Sequence, residues 1–217
     1  MPRLLAYKDS VYSWSAKAGL AVKGVEYVCE EINPFEPEGL GDLLAHHPFG
    51  RVPVFEHEGF SVYETLAILS YIDRVYDGPN LMPDKAEAAA RAFQVAEIAG
   101  AYVYWPLVRQ VFSHAVYRPL TGETGDSGLI EAGLDASRRV LAALEAVAQE
   151  GLVLNARSIT VADLMLAPML MYFKACPAAS ERLGACAGLT GWLDWAEVQP
   201  AFVATRPDFL LTTGETS

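Results

Sequence analysis

The residues best equipped for chemistry lie close together in FGRVPVFEHEGFSVYET, which runs from Phe49 to Thr65. Val52-Pro53 interrupts an apolar run, and a proline there removes a ladder donor, so it marks a strand edge, a bulge or a cis bond. Glu64 and Thr65 then open a helix with a carboxylate and a hydroxyl. The first turn of a helix has unpaired N–H groups at the positive end of the dipole, which suits either a plain cap or a socket for an anion. The sequence supports both.

The elements around this stretch divide the chain in two. RLLAY reads as a short strand, and WSAKAGLAVKG as a helix with Ala16, Leu20 and Lys23 at helical spacing and Gly24 as its stop. VEYVCEEI, from Val25 to Ile32, reads as a second strand, so strand, helix and strand favour a parallel pair with a crossover helix. Residues 33–41 read as a loop rich in Pro, Glu and Gly. VPVFEH and FSVY make a hairpin about Glu58 and Gly59, and ETLAILSYIDRVY a helix. DGPNLMPDK has no periodicity and reads as a linker.

Everything beyond the linker reads as helix. AEAAARAFQVAEIAGAYVYWPLVRQVF is long, and Pro106 predicts a kink in it. A second helix starts at Ser127 and ends at Gly151. TVADLMLAPMLMYFKAC opens on Thr160 and Asp163, spaced as a capping box, and LTGWLDWAEVQ follows it. The expected fold is α+β: an N-terminal βαβ-ββα domain over residues 1–77, a linker at 78–84, and an all-helical C-terminal domain at 85–217.

Composition narrows the class. The 217 residues are 52% hydrophobic and 20% charged, the profile of a compact soluble protein. A net charge of −11 argues against a nucleic-acid partner, because phosphate contacts need clustered Lys and Arg. Cys29, Cys176 and Cys186 have no metal-ligand spacing, His46 and His47 lack a third nearby ligand, and no metal is expected. The sparse cysteines suit a reducing cytoplasm. The apolar run of MPRLLAYKDS is short for a signal peptide, and LMLAPMLMYF is half a membrane span, so no membrane partner is expected.

Four motifs in order resemble the glutathione S-transferase family, cytosolic type, across nearly the whole chain. HPFGRVPVFE resembles the family's Asn-Pro-x-Gly-x-Val-Pro-x-Leu loop, and VYETLAILSYID its Glu-Ser helix start, with Thr65 keeping the hydroxyl. SITVADLMLAP resembles its Thr-x-x-Asp motif, and GWLDWAEVQPAFVATRP its C-terminal ending. The resemblance implies a thioredoxin-like N-terminal domain followed by a helical bundle, a homodimer, and glutathione as co-substrate. It also implies roles. Cis Val52-Pro53 would offer the Val52 backbone to the cysteinyl backbone, Thr65 would receive the γ-glutamyl carboxylate, and Glu64 would meet the α-ammonium. Arg51, with His47 behind it, would face the glycyl carboxylate.

The implied chemistry needs thiolate rather than thiol. Lowering a thiol pKa by about two units takes roughly 2.7 kcal/mol, which a hydroxyl donor and a helix N-terminus together can supply. Alignment with the family's first helix puts Ser10 at the catalytic hydroxyl position, with Ser13, Ser15, Tyr7 and Tyr12 as rivals. Any of these serines is equally suited to capping. Where the family often has Arg-Val-Arg, this chain has Ser15-Ala16-Lys17, a departure. The loop lacks a cysteine, against thiol-exchange work. A second, electrophilic substrate would meet Tyr12, Tyr102, Trp105 and Arg109, with Phe112 beside them, in a cleft between domains.

The leading expectation is a cytoplasmic transferase conjugating glutathione to a small apolar electrophile. SVYSW resembles the Ser-Ser-Cys-Ser-Trp of maleylacetoacetate isomerases through Ser10, Ser13 and Trp14, which makes a glutathione-dependent isomerase the alternative. A non-catalytic binding protein on the same fold is the third reading.

Overall fold

The computed structural model describes residues 1–212. These form two compact units, Met1–Leu81 joined by Pro200–Leu211, and Met82–Gln199. The first is a thioredoxin-like β/α unit and the second is all helical. The fold class is therefore the expected α+β arrangement.

In the first unit, β1 (Arg3–Ala6), α1 (Val11–Val22), β2 (Val28–Glu31), α2 (Pro37–Leu44), β3 (Val54–His57), β4 (Phe60–Tyr63) and α3 (Thr65–Val75) follow in order. The sheet order is β2-β1-β3-β4, with β1 and β2 parallel and the other pairs antiparallel. The two faces of the sheet alternate as a pleat requires. Leu4 pairs with Phe55 and Leu5 with Val54. Leu5 and Val54 pack with Ile32 and with Leu43 of α2.

Three local features correct the expected element boundaries. Helix α1 begins at Val11, three residues before the expected Trp14, with Ser10 as its N-cap. β2 begins at Val28 rather than Val25, because Val25 completes the exit from α1. Gly24 takes φ +66°, its N–H bonds the Ala21 carbonyl, and the Val25 N–H bonds the Leu20 carbonyl. Those paired bonds close a helix C-terminus, and ladder pairing with β1 starts only at Val28, opposite Arg3. The loop expected over 33–41 contains the start of α2. Its proline, Pro37, stands in the first turn, where a missing N–H costs nothing. Gly39 is required there, since a Cβ would lie 2.2 Å from the Asn33 carbonyl oxygen.

The hairpin turn is as expected, with φ of 51° at Glu58 and 82° at Gly59, which a two-residue turn with both central residues left-handed demands. The segment from Asp77 to Leu81 is tied down by Lys23. Its buried ammonium bonds Asp73 Oδ1 at 3.1 Å and the Pro79 carbonyl at 3.2 Å, and Asp73 Oδ1 also accepts the Leu81 N–H at 2.8 Å. The short helix α10 (Pro200–Ala204) brings buried Phe202 edge-on to Trp14, whose indole N–H bonds Thr205 Oγ1 at 3.0 Å.

The second unit holds α4 (Ala86–Ile98), a π-helical continuation over Ala99–Tyr117, α5 (Arg118–Leu120), α6 (Ser127–Glu150), α7 (Val161–Lys174), α8 (Pro177–Gly184) and α9 (Ala187–Glu197). Pro106, where a kink was expected, lies inside the π-helical segment, whose wider pairing already begins at Ala99. Gly133 of α6 lets the helices touch, because a Cβ there would sit 2.6 Å from the Pro106 carbonyl oxygen. Asp126, not Ser127, caps α6 by accepting the Leu129 N–H. A further short helix, α11 (Phe209–Thr212), lies at the end of the described residues.

The capping box of α7 forms as its spacing predicts. Asp163 Oδ2 accepts the Thr160 N–H at 2.7 Å and the Thr160 hydroxyl at 2.6 Å, and Oδ1 accepts the Trp192 indole N–H at 2.6 Å. The α6 side chain Glu145 caps α9, accepting the Gly188 and Leu189 N–H groups. Among the described residues no helix is long and apolar enough to cross a membrane.

Candidate functional site

Strand register gathers the chemical residues at one end of the sheet. Because β1 and β3 are antiparallel with Leu5 opposite Val54, the exit of β1 toward Ser10 lies beside Val52-Pro53 at the entry of β3. Because Val54 also lies opposite Tyr63, the exit of β4 into Glu64 and Thr65 comes to that same end. Residues 42 and 54 apart from Ser10 in sequence thus converge by two pairings.

Ser10 is the N-cap of α1, half-buried, with its Oγ accepting the Ser13 N–H at 3.2 Å. That bond uses an oxygen lone pair and leaves the hydroxyl proton to donate elsewhere. The rival serines are committed to the interior. Ser13 is fully buried and its Oγ accepts the Tyr7 N–H at 3.1 Å, while buried Ser15 donates to the Val11 carbonyl. Tyr7 is buried with its ring edge-on to Phe35, and Tyr12 is half-buried.

The Val52-Pro53 peptide is cis. The ladders of β3 begin at Val54, so the Val52 backbone lies outside the sheet pairing. Glu64 is the N-cap of α3 with φ 68° and ψ 116°, an uncommon region for a residue bearing a side chain, which costs about 1–3 kcal/mol and persists only where the surroundings impose it. Its side chain makes no capping bond and is 68% exposed, so the plain-cap reading fails for this residue. Thr65, the first helical residue, is buried.

His47 and Arg51 flank the loop that leads to Pro53. Arg51 is exposed. His47 is 2% exposed, and its Nδ1 accepts the Phe49 N–H at 3.1 Å. Its Nε2 lies 4.0 Å from Glu64 Oε1, and its ring packs on Tyr63 at 4.4 Å between centroids. Burial holds the imidazole pKa below its ordinary 6.5; Glu64 opposes that and Arg51 reinforces it. His46 is engaged with Glu56 Oε1 at 2.8 Å, a carboxylate that Arg3 also binds.

The residues expected to read a second substrate are divided between the units. Tyr12 belongs to α1, and Tyr102, Trp105 and Arg109 to the π-helical segment. Tyr102 and Trp105 are 65% and 62% exposed, whereas Phe112 is buried against Tyr172 at 4.4 Å, a core contact. Among the described residues no three His, Cys, Asp or Glu side chains are grouped to hold a metal ion.

Sequence reasoning missed the full place of His47. It stands where the resembling loop has asparagine, and that departure was the available signal. The Trp192 bond to Asp163 carried no local signal, since 29 residues separate them.

Comparison with known proteins points to one family. Residues 3–74 match the glutathione S-transferase N-terminal domain model, and residues 127–197 match the glutathione S-transferase C-terminal domain model. The chain is 30% identical over 101 residues to the probable maleylacetoacetate isomerase of Caenorhabditis elegans, covering 46% of this chain and 47% of that one. It thus spans about half the length of that relative. It is 26% identical over 156 residues to glutathione S-transferase F10 of Arabidopsis thaliana, covering 70% and 72%. The solved glutathione S-transferase of Methylobacillus flagellatus with glutathione bound shares its fold, with TM-score 0.76, 22% identity and coverage of 95% and 100%. The chain belongs to the glutathione S-transferase family.

Proposed function

We propose that this chain binds glutathione in its first unit and uses Ser10 to keep the cysteinyl sulfur ionised for attack on a small apolar electrophile. The reading rests on one observation: the Leu5–Val54 and Val54–Tyr63 pairings bring the Ser10 hydroxyl, the Val52 backbone and the tip of α3 to one end of one sheet. Thr65 and the first α3 amides receive the γ-glutamyl carboxylate, and Glu64 the α-ammonium. Val52 pairs with the cysteinyl backbone as an added strand, and Arg51 takes the glycyl carboxylate. The Ser10 hydroxyl donates a hydrogen bond to the thiolate sulfur while its oxygen lone pair caps α1, so the two roles coexist, and the thiol proton passes to water. The sulfur lone pair then forms the new bond to an electrophilic carbon as the bond from that carbon to its leaving group breaks, or as the π bond of an activated double bond opens. The displaced electron pair departs with the leaving group or takes a proton from water.

The same proposal assigns the chain to the serine-hydroxyl class, with Tyr12, Tyr102, Trp105 and Arg109 as second-substrate contacts. It includes a homodimer in the cytoplasm, no required metal, and the domain boundaries 1–77, 78–84 and 85–217. Calorimetry with glutathione, followed by ultraviolet titration of the bound thiol, tests the core of it. A bound pKa below the free value, lost in Ser10→Ala, is expected. Uptake with unshifted ionisation in both proteins would instead favour the binding-protein reading.

The isomerase reading is kept because of the similarity to the nematode relative. Of the SVYSW residues that suggested it, Ser13 and Trp14 are buried, so Ser10 alone is available to a ligand. Turnover of a cis-dienoic acid against a chloro-nitroaromatic separates isomerase from transferase.

A further inference from the structure

His47 heads a loop whose counterpart in the resembling motif starts with asparagine, and its two ring nitrogens do different things. Nδ1 accepts the Phe49 N–H at 3.1 Å, the bond an asparagine oxygen makes to the amide two residues on. That bond fixes the neutral tautomer, leaving the ring proton on Nε2. Asparagine would have satisfied the loop. The imidazole adds a donor, Nε2–H, on the far side of the ring, and the side chain holding it is only 3% exposed.

The direction of that donor is set by packing. Tyr63 packs against the ring at a 37° tilt with centroids 4.4 Å apart, and Phe49 meets it edge-on at 5.8 Å. Nε2 lies 4.0 Å from Glu64 Oε1. The charged groups facing the ring are Glu64 from the tip of α3 and Arg51 from its own loop, with the Tyr63 phenol above it from β4. A separation of 4.0 Å exceeds a hydrogen bond but is within one side-chain adjustment of it, and the Glu64 carboxylate is two-thirds exposed.

We propose that His47 is a positioning residue: its Nε2–H orients the Glu64 carboxylate so that it meets the α-ammonium of an incoming γ-glutamyl peptide. This rests on the glutathione reading given above and adds a device to it. The imidazole joins the two walls of the groove, the loop before β3 and the tip of α3, and restrains a carboxylate that no capping bond holds.

Two variants separate the ring nitrogens. His47→Asn keeps an acceptor for the Phe49 N–H and loses the Nε2 donor; His47→Gln sets an amide near the Nε2 position. Both are titrated calorimetrically with glutathione and with glutaryl-cysteinyl-glycine, which lacks only the α-ammonium. His47→Asn should weaken glutathione about tenfold, the scale of one charge-assisted contact, and leave the deaminated peptide unchanged. Its kcat at saturating glutathione should stay near wild type while KM rises, and His47→Gln should recover part of the loss. Equal weakening of both peptides, or no weakening of either, overturns the inference. Failure of the wild-type protein to take up glutathione overturns the underlying reading as well, so the two failures are distinct.

Discussion

Leu5 of β1 lies opposite Val54 of β3, and this pairing aligns the end of one strand with the start of another. One residue of slip would turn the apolar faces of β3 over and carry Val52-Pro53 away from Ser10. The candidate site is therefore as firmly fixed as the core beneath it, where Leu4, Leu5, Val54 and Phe55 are fully buried.

Removing the Ser10 hydroxyl should act on stability and on chemistry at once. Ser10→Ala loses the cap on the Ser13 N–H, worth about 1 kcal/mol of stability. On the proposed reading it also loses the donor to sulfur, and a rise of one to two units from a bound pKa about two units below the free value of about 8.5 would cut the thiolate at pH 7 by roughly 3- to 25-fold. Ser10→Thr, which keeps both functions, should restore most of each. Thermal melts and ultraviolet thiolate absorbance read the two losses separately.

Thr65 offers a cleaner test of the anion end. Thr65→Val keeps the shape of the buried side chain and removes the hydroxyl, so glutathione should bind about tenfold more weakly, the worth of one hydrogen bond to a carboxylate. Thr65→Ser should bind like the wild type. Equal affinity of Val and Ser variants in calorimetry would remove Thr65 from the site.

The buried imidazole of His47 sets a pH dependence of stability. Its pKa is lowered in the folded protein, so between that value and 6.5 the unfolded chain binds more protons than the folded one. Stability therefore rises with pH through this window and falls as pH drops below about 6.5. Denaturant unfolding from pH 5 to 8 should show the slope in the wild type and a shallower one in His47→Asn. Parallel curves would mean that the ring titrates the same folded and unfolded.

Asp163 should be intolerant of change without touching ligand affinity. Its carboxylate accepts three bonds, two from Thr160 and one from Trp192, while burial alone pushes its pKa up. Asp163→Asn turns an acceptor into a donor facing N–H groups and should cost about 2–3 kcal/mol, since at least one buried donor loses its partner. Denaturant midpoints check this, with glutathione affinity of the folded fraction as the control.

Much of the fold was legible in the sequence because its signals are local. A glycine able to take positive φ, a Glu-Gly turn and a Thr-x-x-Asp spacing each act through the backbone within a few residues. The end of α1, the β3–β4 hairpin and the box at Thr160 and Asp163 followed from them, whereas α1 starts at Val11, ahead of the expected Trp14. Helix α2 was obscured because its proline and glycines resemble a loop, although Pro37 fits a first turn and Gly39 answers a contact with Asn33. Val25 was read as strand from its type, whereas the carbonyl of Leu20 claims its N–H.

By itself the sequence determined which residue types stand at helix starts, turns and the proline loop, since those depend on torsional preference and hydrogen-bond valence. It did not reveal that Ser13 and Ser15 are buried while Ser10 is only half-buried, nor that His47 is buried with its second nitrogen toward Glu64. Only the tertiary structure decided these. Which hydroxyl faces inward, and what lies opposite an imidazole, depends on chain segments distant in sequence that the sheet register brings together.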